Sequence, residues 1–317
     1  MGESVNVALV GTGAFGIKHL EAIREIKGMR VAAVASHDVT QAAGVAERFG
    51  IERVCRDLDD VLARPDIDAV ILCTPTPLHA SQAIACLRAG KHVQVEIPMA
   101  DNLRDAQQLV DVQRETGLVA MAGHTRRFNP GHQWVRWRLL GGEFHIQQMD
   151  VQTYFLRRSN LNALGEPRSW TDHLLWHHAC HTVDLFQYQT GEEAVQVHAM
   201  QGPLHPVLGI AMDMSIQLKV ASGALCTLSL SFNNDGPFGS FFRYIGDTGT
   251  YLARYDELLD GRERPINLTG VAVSRNGIEL QDRNFLAAIR DGLEPVSSVA
   301  SVLPAYRTLD RIEHLLG

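Results

Sequence analysis

Six apolar-rich residues, VNVALV at 5–10, run directly into GTGAFG at 11–16, and a helical pattern, IKHLEAIREIKG, follows at once. This junction constrains the chain more than any other feature. A glycine pattern of the form GxGxxG is weak alone, but between a buried parallel strand and a helix it has the setting of a dinucleotide-binding turn. Gly11 makes the tight turn, Gly13 lets a pyrophosphate approach the backbone, and Gly16 lets the helix pack closely on the strand. Thr12, Ala14 and Phe15 fill the loop, whose helix N-terminus would face the phosphates. The bland alternative is a glycine turn that binds nothing.

The same alternation continues downstream. MRVAAVAS reads as a second strand, 39–49 as a helix stopped by Gly50, and 57–63 as a short helical stretch. IDAVILCTP is a buried strand, SQAIACLRAG a helix closed by Gly90, KHVQVEIP a strand, DNLRDAQQLVDVQRETG a helix and LVAMAGH a last strand. Strands alternating with helices predict a doubly wound parallel sheet of the Rossmann type, an α/β domain over residues 1–123. From His124 onward the pattern becomes β-rich, in HIQQMDVQTYF, VQVHAMQG, MDMSIQLKV, ALCTLSLSF and FFRYIGDTGTYLARY. A helix over about 172–189 is inserted before the main strands, and QDRNFLAAIRDG and SVLPAYRTLDRIEHLL read as terminal helices. Residues 124–317 are therefore expected to form an α+β domain around a large, open, mostly antiparallel sheet.

Composition narrows the function. No apolar stretch approaches the roughly 20 residues needed to span a bilayer, so no membrane association is expected. The net charge of -7 without a basic run argues against nucleic acid, whose binding depends on neutralising phosphates. The five cysteines are scattered without CxxC spacing, and the N-terminus has no basic and apolar leader. Both features predict a cytoplasmic protein with reduced thiols.

At the end of the second strand, dinucleotide enzymes that prefer NAD usually carry an acidic residue for the ribose hydroxyl. Here Ser36 and His37 occupy that position. A hydroxyl and an imidazole would accommodate a 2′-phosphate where a carboxylate would repel it, which favours NADP. Asp38, one position later, leaves NAD possible, and His37 reads equally well as an exposed loop residue.

The segment CTPTPLHASQAIACLRAGKHVQVEIP resembles the Gfo/Idh/MocA oxidoreductase family, with its TPxxxH turn, a helix ending in AGKHV and an EKP-like motif. GHTRRFNP and ACHTVDL resemble the start of that family's second domain and its histidine-bearing helix. The four motifs occur in order along the whole chain. The resemblance implies a nicotinamide dehydrogenase, with Thr74, Pro75, His79, Glu96, Ile97 and Pro98 near the cofactor and His181 as general base. Two departures stand out: Ile97 replaces the EKP lysine, and His177 stands where the family often has an aspartate. GHTRRFNP, PRSWTDHLLWHHACHTVDLF and SLSFNNDGP resemble a branch of the family that oxidises a cyclic hemiacetal with NADP. A lactol hydroxyl is more acidic than an ordinary alcohol, so one histidine base suffices without the lysine. His177 and His173, four and eight residues before His181, would share its helical face and serve relay or binding. His178 falls a quarter-turn away, and Asp184 would orient His181 or pair on the helix surface.

The substrate that this closer resemblance implies carries two or more carboxylates. Arginine grips such groups through paired hydrogen bonds. The candidates are Arg126, Arg127, Arg157, Arg158 and Arg168, with Trp170, Asp172 and His173 beside them and His124 and Asn129 as further lining residues. At least two arginines are expected to be simple surface ion pairs. Arg243 fits either group, and Asn233 and Asn234 read as turn residues. The family resemblance also implies a second subunit over the open sheet, so a homodimer is expected. The rival readings are a sugar or polyol dehydrogenase of the same family, against which Ile97 weighs, a metal hydrolase using His173, His177 and His181, and a non-catalytic NADP sensor. No metal is expected.

Overall fold

The computed structural model describes residues 4–161, 165, 167–168 and 170–317. In chain order its first elements are β1 (Val5–Val10), α1 (Ala14–Ile23), β2 (Met29–Ala35), α2 (Val39–Phe49), β3 (Val54–Cys55), α3 (Leu58–Leu62), β4 (Ala69–Leu72), α4 (His79–Arg88), β5 (His92–Val95), α5 (Leu103–Thr116) and β6 (Ala120–Ala122). They are followed by α6 (Pro130–Leu140), β7 (Ile146–Tyr154), α7 (Cys180–Thr190), β8 (Gln196–Gln201), β9 (Asp213–Lys219), β10 (Leu225–Ser231), β11 (Gly239–Gly246), β12 (Thr250–Arg254), β13 (Glu257–Asp260), α8 (Glu279–Asp291) and α9 (Val299–Leu316).

Two compact units result. The first contains Met1–Thr125 and Ser274–Leu303, the second Arg126–Val273 and Pro304–Gly317. The change of unit at 125 falls two residues from the expected boundary. The return of residues 274–303 to the first unit differs from the simple division at His124. Its physical reason is that Asp282 on α8 pairs with His19 on α1, and Ser297 Oγ donates to the Ala122 carbonyl. Within α9 the change of unit falls at Pro304, a residue that cannot donate to the carbonyl one turn earlier.

The first unit holds the expected parallel sheet, ordered β3-β2-β1-β4-β5-β6. Its central strands are buried on both faces, as continuous Val, Ile, Leu and Ala runs require. Strand order reverses between β1 and β4, and a ligand crevice opens at the carboxyl ends of strands at such a point. Helix ends are marked by local chemistry: Asp38, Asp57 and Asn102 cap N-termini, and Gly50 and Gly117 end α2 and α5 in the left-handed region.

The second unit holds a seven-stranded sheet, β13-β12-β11-β7-β10-β9-β8. It is antiparallel except for the central pair β7 and β10. Strict alternation sets its faces: Met214, Ile216 and Leu218 are buried while Asp213, Ser215, Gln217 and Lys219 are exposed. The outward face is mixed, with Met200 and Leu225 exposed among polar residues. One cross-strand row reads Leu252, Arg243, Asp150, Thr227, Gln217 and His198, with Arg243 directly opposite Asp150.

Two elements depart from the periodicities. Helix α6 was not legible because its apolar residues form no single stripe: Gly131 and His132 are buried while Trp137 and Leu140 are exposed. The helix expected over about 172–189 starts as a π-helical stretch, Leu174–Ala179, before α7 takes up α geometry. The His173 and His177 rings still lie side by side, 5.0 Å apart, and His181 follows in the α-helical part.

Candidate active site

The first unit presents the glycine turn as the sequence requires. Gly11 has φ of 101°, and a Cβ there would lie 2.3 Å from the Cys73 carbonyl oxygen. A Cβ on Gly16 would lie 2.1 Å from the Gly11 carbonyl oxygen, so α1 is packed against the turn itself. At Gly13 the same construction meets nothing within 4 Å. Gly13 is also the N-cap of α1, with no side-chain cap over the first helical turn. An open glycine and unclaimed N–H groups at a helix start fit a pyrophosphate. Ala14 and Phe15 form this turn with Gly16, and Thr12 Oγ1 donates to Gln41 Oε1 at 2.9 Å.

At the end of β2, Ser36 is half-buried and His37 exposed. The Asp38 carboxylate accepts from the Gln41 backbone N–H at 2.9 Å and so caps α2. Thr74 Oγ1 donates to Gln82, and Pro75 opens a short 3₁₀ turn. The buried His79 ring lies between two carbonyl oxygens, Pro98 at 2.8 Å from Nδ1 and Thr74 at 2.7 Å from Nε2. Burial pushes its pKa below the ordinary 6.5 despite these acceptors. The ring sits between the turn at Thr74 and the Glu96-Ile97-Pro98 turn, and in its neutral form donates to one of the two carbonyls. The Glu96 carboxylate faces His19 Nε2 at 3.2 Å. His124 is fully buried in this unit.

In the second unit the arginines separate by environment. Arg127 makes a two-point pair with Asp184, Nε to Oδ2 at 2.9 Å and Nη2 to Oδ1 at 2.5 Å, with both side chains almost wholly buried. It also stacks on Tyr188. Its neighbour Arg126 donates from Nη2 to Ser240 Oγ at 3.2 Å and lies over the Phe242 ring. No carboxylate pairs with Arg126 among the described residues, and burial pushes its pKa down. A guanidinium enclosed without a counter-charge is costly unless an anion joins it.

Beyond the end of β7 lies a second cationic group. Asp172 is buried and takes Arg157 (Nη2 to Oδ2 at 2.6 Å), Arg168 (Nη1 to Oδ1 at 2.8 Å) and His178 (3.4 Å). Burial would raise the Asp172 pKa, but His178 and Arg157 outweigh it and hold the carboxyl far below the usual range. Two guanidiniums on one carboxylate leave net positive charge. Arg158 is exposed and spends its guanidinium on the Arg157 and Phe232 carbonyls and the Asn233 side chain. Arg243 stands on the outward face. Asn233 and Asn234 bond Asp213 and the Pro237 carbonyl, as turn residues do.

The histidines follow the π-helical stretch. The His177 ring stacks under Trp170 at 5.3 Å, and its Nδ1 accepts from the His173 backbone N–H at 3.2 Å. The His173 and His177 rings meet edge to face at 5.0 Å. His178 lies against Phe155 and Phe232, and His181 is half-buried in the first turn of α7. Asn129 stands at the N-cap of α6. No three His, Cys, Asp or Glu side chains gather as a metal-binding group among the described residues. No described helix is long and apolar enough to cross a membrane.

Sequence reasoning missed His19 and Asp282, which meet across 263 positions. The available signal was a lone histidine on the buried face of α1, three residues after Gly16.

Residues 5–124 match the model of the oxidoreductase family with an NAD-binding Rossmann fold (Gfo/Idh/MocA), and residues 130–272 match that of bacterial oxidoreductase C-terminal domains. The chain is 62% identical over 309 residues to 4-carboxy-2-hydroxymuconate-6-semialdehyde dehydrogenase of a Sphingobium species, covering 98% of each sequence. It is 30% identical over 300 residues to inositol 2-dehydrogenase of Mycolicibacterium smegmatis, covering 91% of this chain and 85% of that one. Levoglucosan dehydrogenase, solved with NADH and L-sorbose, superposes with a TM-score of 0.88 at 22% identity, over 99% of this chain and 97% of that one. This last likeness concerns the fold alone.

Proposed function

The chain belongs to the Gfo/Idh/MocA oxidoreductases and is a dehydrogenase, and from that premise we propose that it oxidises the cyclic hemiacetal of 4-carboxy-2-hydroxymuconate-6-semialdehyde to 2-pyrone-4,6-dicarboxylate with NADP. The carrying observation is the 62% identity over nearly the full length to a dehydrogenase of that name. The second unit supports the reading chemically. In an acidic chain of net charge -7, Arg126 is without a carboxylate partner among the described residues, and Arg157 and Arg168 share one aspartate. That surplus suits a ligand with several carboxylates. Ile97, in place of the family's lysine, suits a lactol that needs no ammonium to ease its deprotonation.

In this reading Gly11, Gly13, Gly16 and the start of α1 hold the pyrophosphate, and Ser36 and His37 receive the 2′-phosphate. NADP, when bound, supplies the hydride acceptor. His181 removes the lactol hydroxyl proton, and His177, held by Trp170 and the His173 N–H, orders the base or passes the proton on. Arg126, Arg157 and Arg168 anchor carboxylates. Arg127 holds the turn Thr125–Phe128 to α7 through Asp184. We place the enzyme in the cytoplasm, in keeping with its five free cysteines, and as a homodimer through the outward face of the second sheet.

The test is a substrate panel with product identification. The purified protein is given NADP or NAD with the freshly prepared hemiacetal or with myo-inositol. The proposal expects the pyrone dicarboxylate by mass, faster with NADP. Turnover of myo-inositol alone would replace it with the polyol reading.

A further inference from the structure

A buried charge cluster of the first unit joins Glu96 to two residues, His19 and Asp282, that carry no part in the function proposed above. His19 and Asp282 are fully buried, and the Glu96 side chain is 10% exposed. His19 Nδ1 faces Asp282 Oδ1 at 2.8 Å, and Nε2 faces Glu96 Oε1 at 3.2 Å. Gln94 Nε2 also donates to Asp282 Oδ1 at 2.8 Å, while Asp282 Oδ2 has no hydrogen-bond partner. Among the described residues the imidazole is the one cationic side chain paired with Asp282. A buried carboxylate without a cation is strongly unfavourable. Asp282 therefore keeps His19 doubly protonated, and the second N–H is then available to Glu96.

Glu96 occupies a particular place. Its backbone N–H donates to the Leu72 carbonyl at the end of β4, and it opens the turn that leads to Ile97 and Pro98. Its carboxylate packs so closely on the chain after β6 that a Cβ on Gly123 would come within 2.8 Å of Oε1. Cys73, the residue after β4, also faces His19. The cluster thus lies at the carboxyl ends of β4 and β5, beside the point of strand-order reversal.

We propose that His19 is a positioning residue for the nicotinamide cofactor, tied to Asp282 through one ring nitrogen and to Glu96 through the other, so that it fixes the Glu96-Ile97-Pro98 turn and sets cofactor affinity. The proposal rests on the first unit being the cofactor site, and it is independent of the substrate. Asp282, Glu96 and Cys73 are the titratable groups that face the ring. Burial alone would lower the His19 pKa, but Asp282 and then Cys73 outweigh it and place it well above 6.5. The Cys73 thiol is itself pushed up by burial. The contact is therefore complete below pH 6.5 and is lost as pH rises through the higher value of the folded state.

Cofactor dissociation constants, measured by intrinsic fluorescence from pH 7 to 10 without substrate, test this. For the native protein NADP affinity should fall roughly tenfold across the alkaline limb as the ring deprotonates. His19→Gln should bind about tenfold more weakly at neutral pH, with a flat profile, while kcat at saturating NADP changes less than about threefold. Asp282→Asn removes the carboxylate that keeps the ring charged, and it should move the alkaline limb down by about one pH unit or more. This variant decides the question if His19→Gln does not fold. Native affinity and pH profile in a folded His19→Gln, or an Asp282→Asn curve that overlays the native one, would overturn the proposal. A native protein that binds neither NADP nor NAD would remove the cofactor reading as well, a result distinct from the others.

Discussion

Adjacent arginines in TRRF carry opposite assignments. Arg127 and Asp184 form an enclosed two-point pair, so Arg127→Met strands a carboxylate and should cost about 3–5 kcal/mol of stability. Arg126 has no such partner among the described residues. Arg126→Met should leave the melting temperature equal or higher while raising KM for a carboxylated substrate at least about tenfold, since it removes an unpaired enclosed cation. Thermal melts and steady-state kinetics on the two variants separate the roles, and equal destabilisation by both would contradict them. No sequence rule tells these neighbours apart. The distinction arises from Asp184, 57 residues on. Gly11 and Gly16, by contrast, were legible because each answers a local steric demand.

At the scale of elements, the glycine turn and α1 make a second separable prediction. Gly13→Ala meets no neighbour, so it should change stability by less than about 1 kcal/mol. Its new methyl would point into the space expected for the pyrophosphate and should weaken NADP binding at least about tenfold. Gly16→Ala runs into the Gly11 carbonyl and should cost about 1–3 kcal/mol or more before any cofactor is added. Calorimetric unfolding beside cofactor titration would show both, and normal binding by a stable Gly13→Ala would count against the phosphate site. The alternating strands and helices of the first unit were readable because their periodicities are local. Helix α6 was hidden by exposed Trp137 and Leu140 opposite buried Gly131. The π-helical stretch was hidden because His173, His177 and His181 mimic α spacing. His173 and His177 are held by Trp170 stacking and a backbone bond.

At the scale of the whole molecule, the sequence conveyed two sheet architectures in order but not the return of α8 to the first unit. That return depends on a histidine and an aspartate that only folding brings together. The outward face of the second sheet, with Arg243 opposite Asp150, is the surface proposed to join two copies. Arg243→Asp would set like charges across that row and should shift sedimentation from dimer to monomer, whereas an unchanged dimer would place the contact elsewhere. The central claim, that the chain is an NADP-dependent dehydrogenase of a carboxylated lactol with His181 as base, is tested most directly by the rate of NADPH formation from the fresh hemiacetal. The native protein should turn over, and His181→Ala should retain NADP binding while losing about 10²–10⁴-fold in kcat. Absence of NADPH formation by a native protein that binds NADP, or full activity in His181→Ala, would contradict the account.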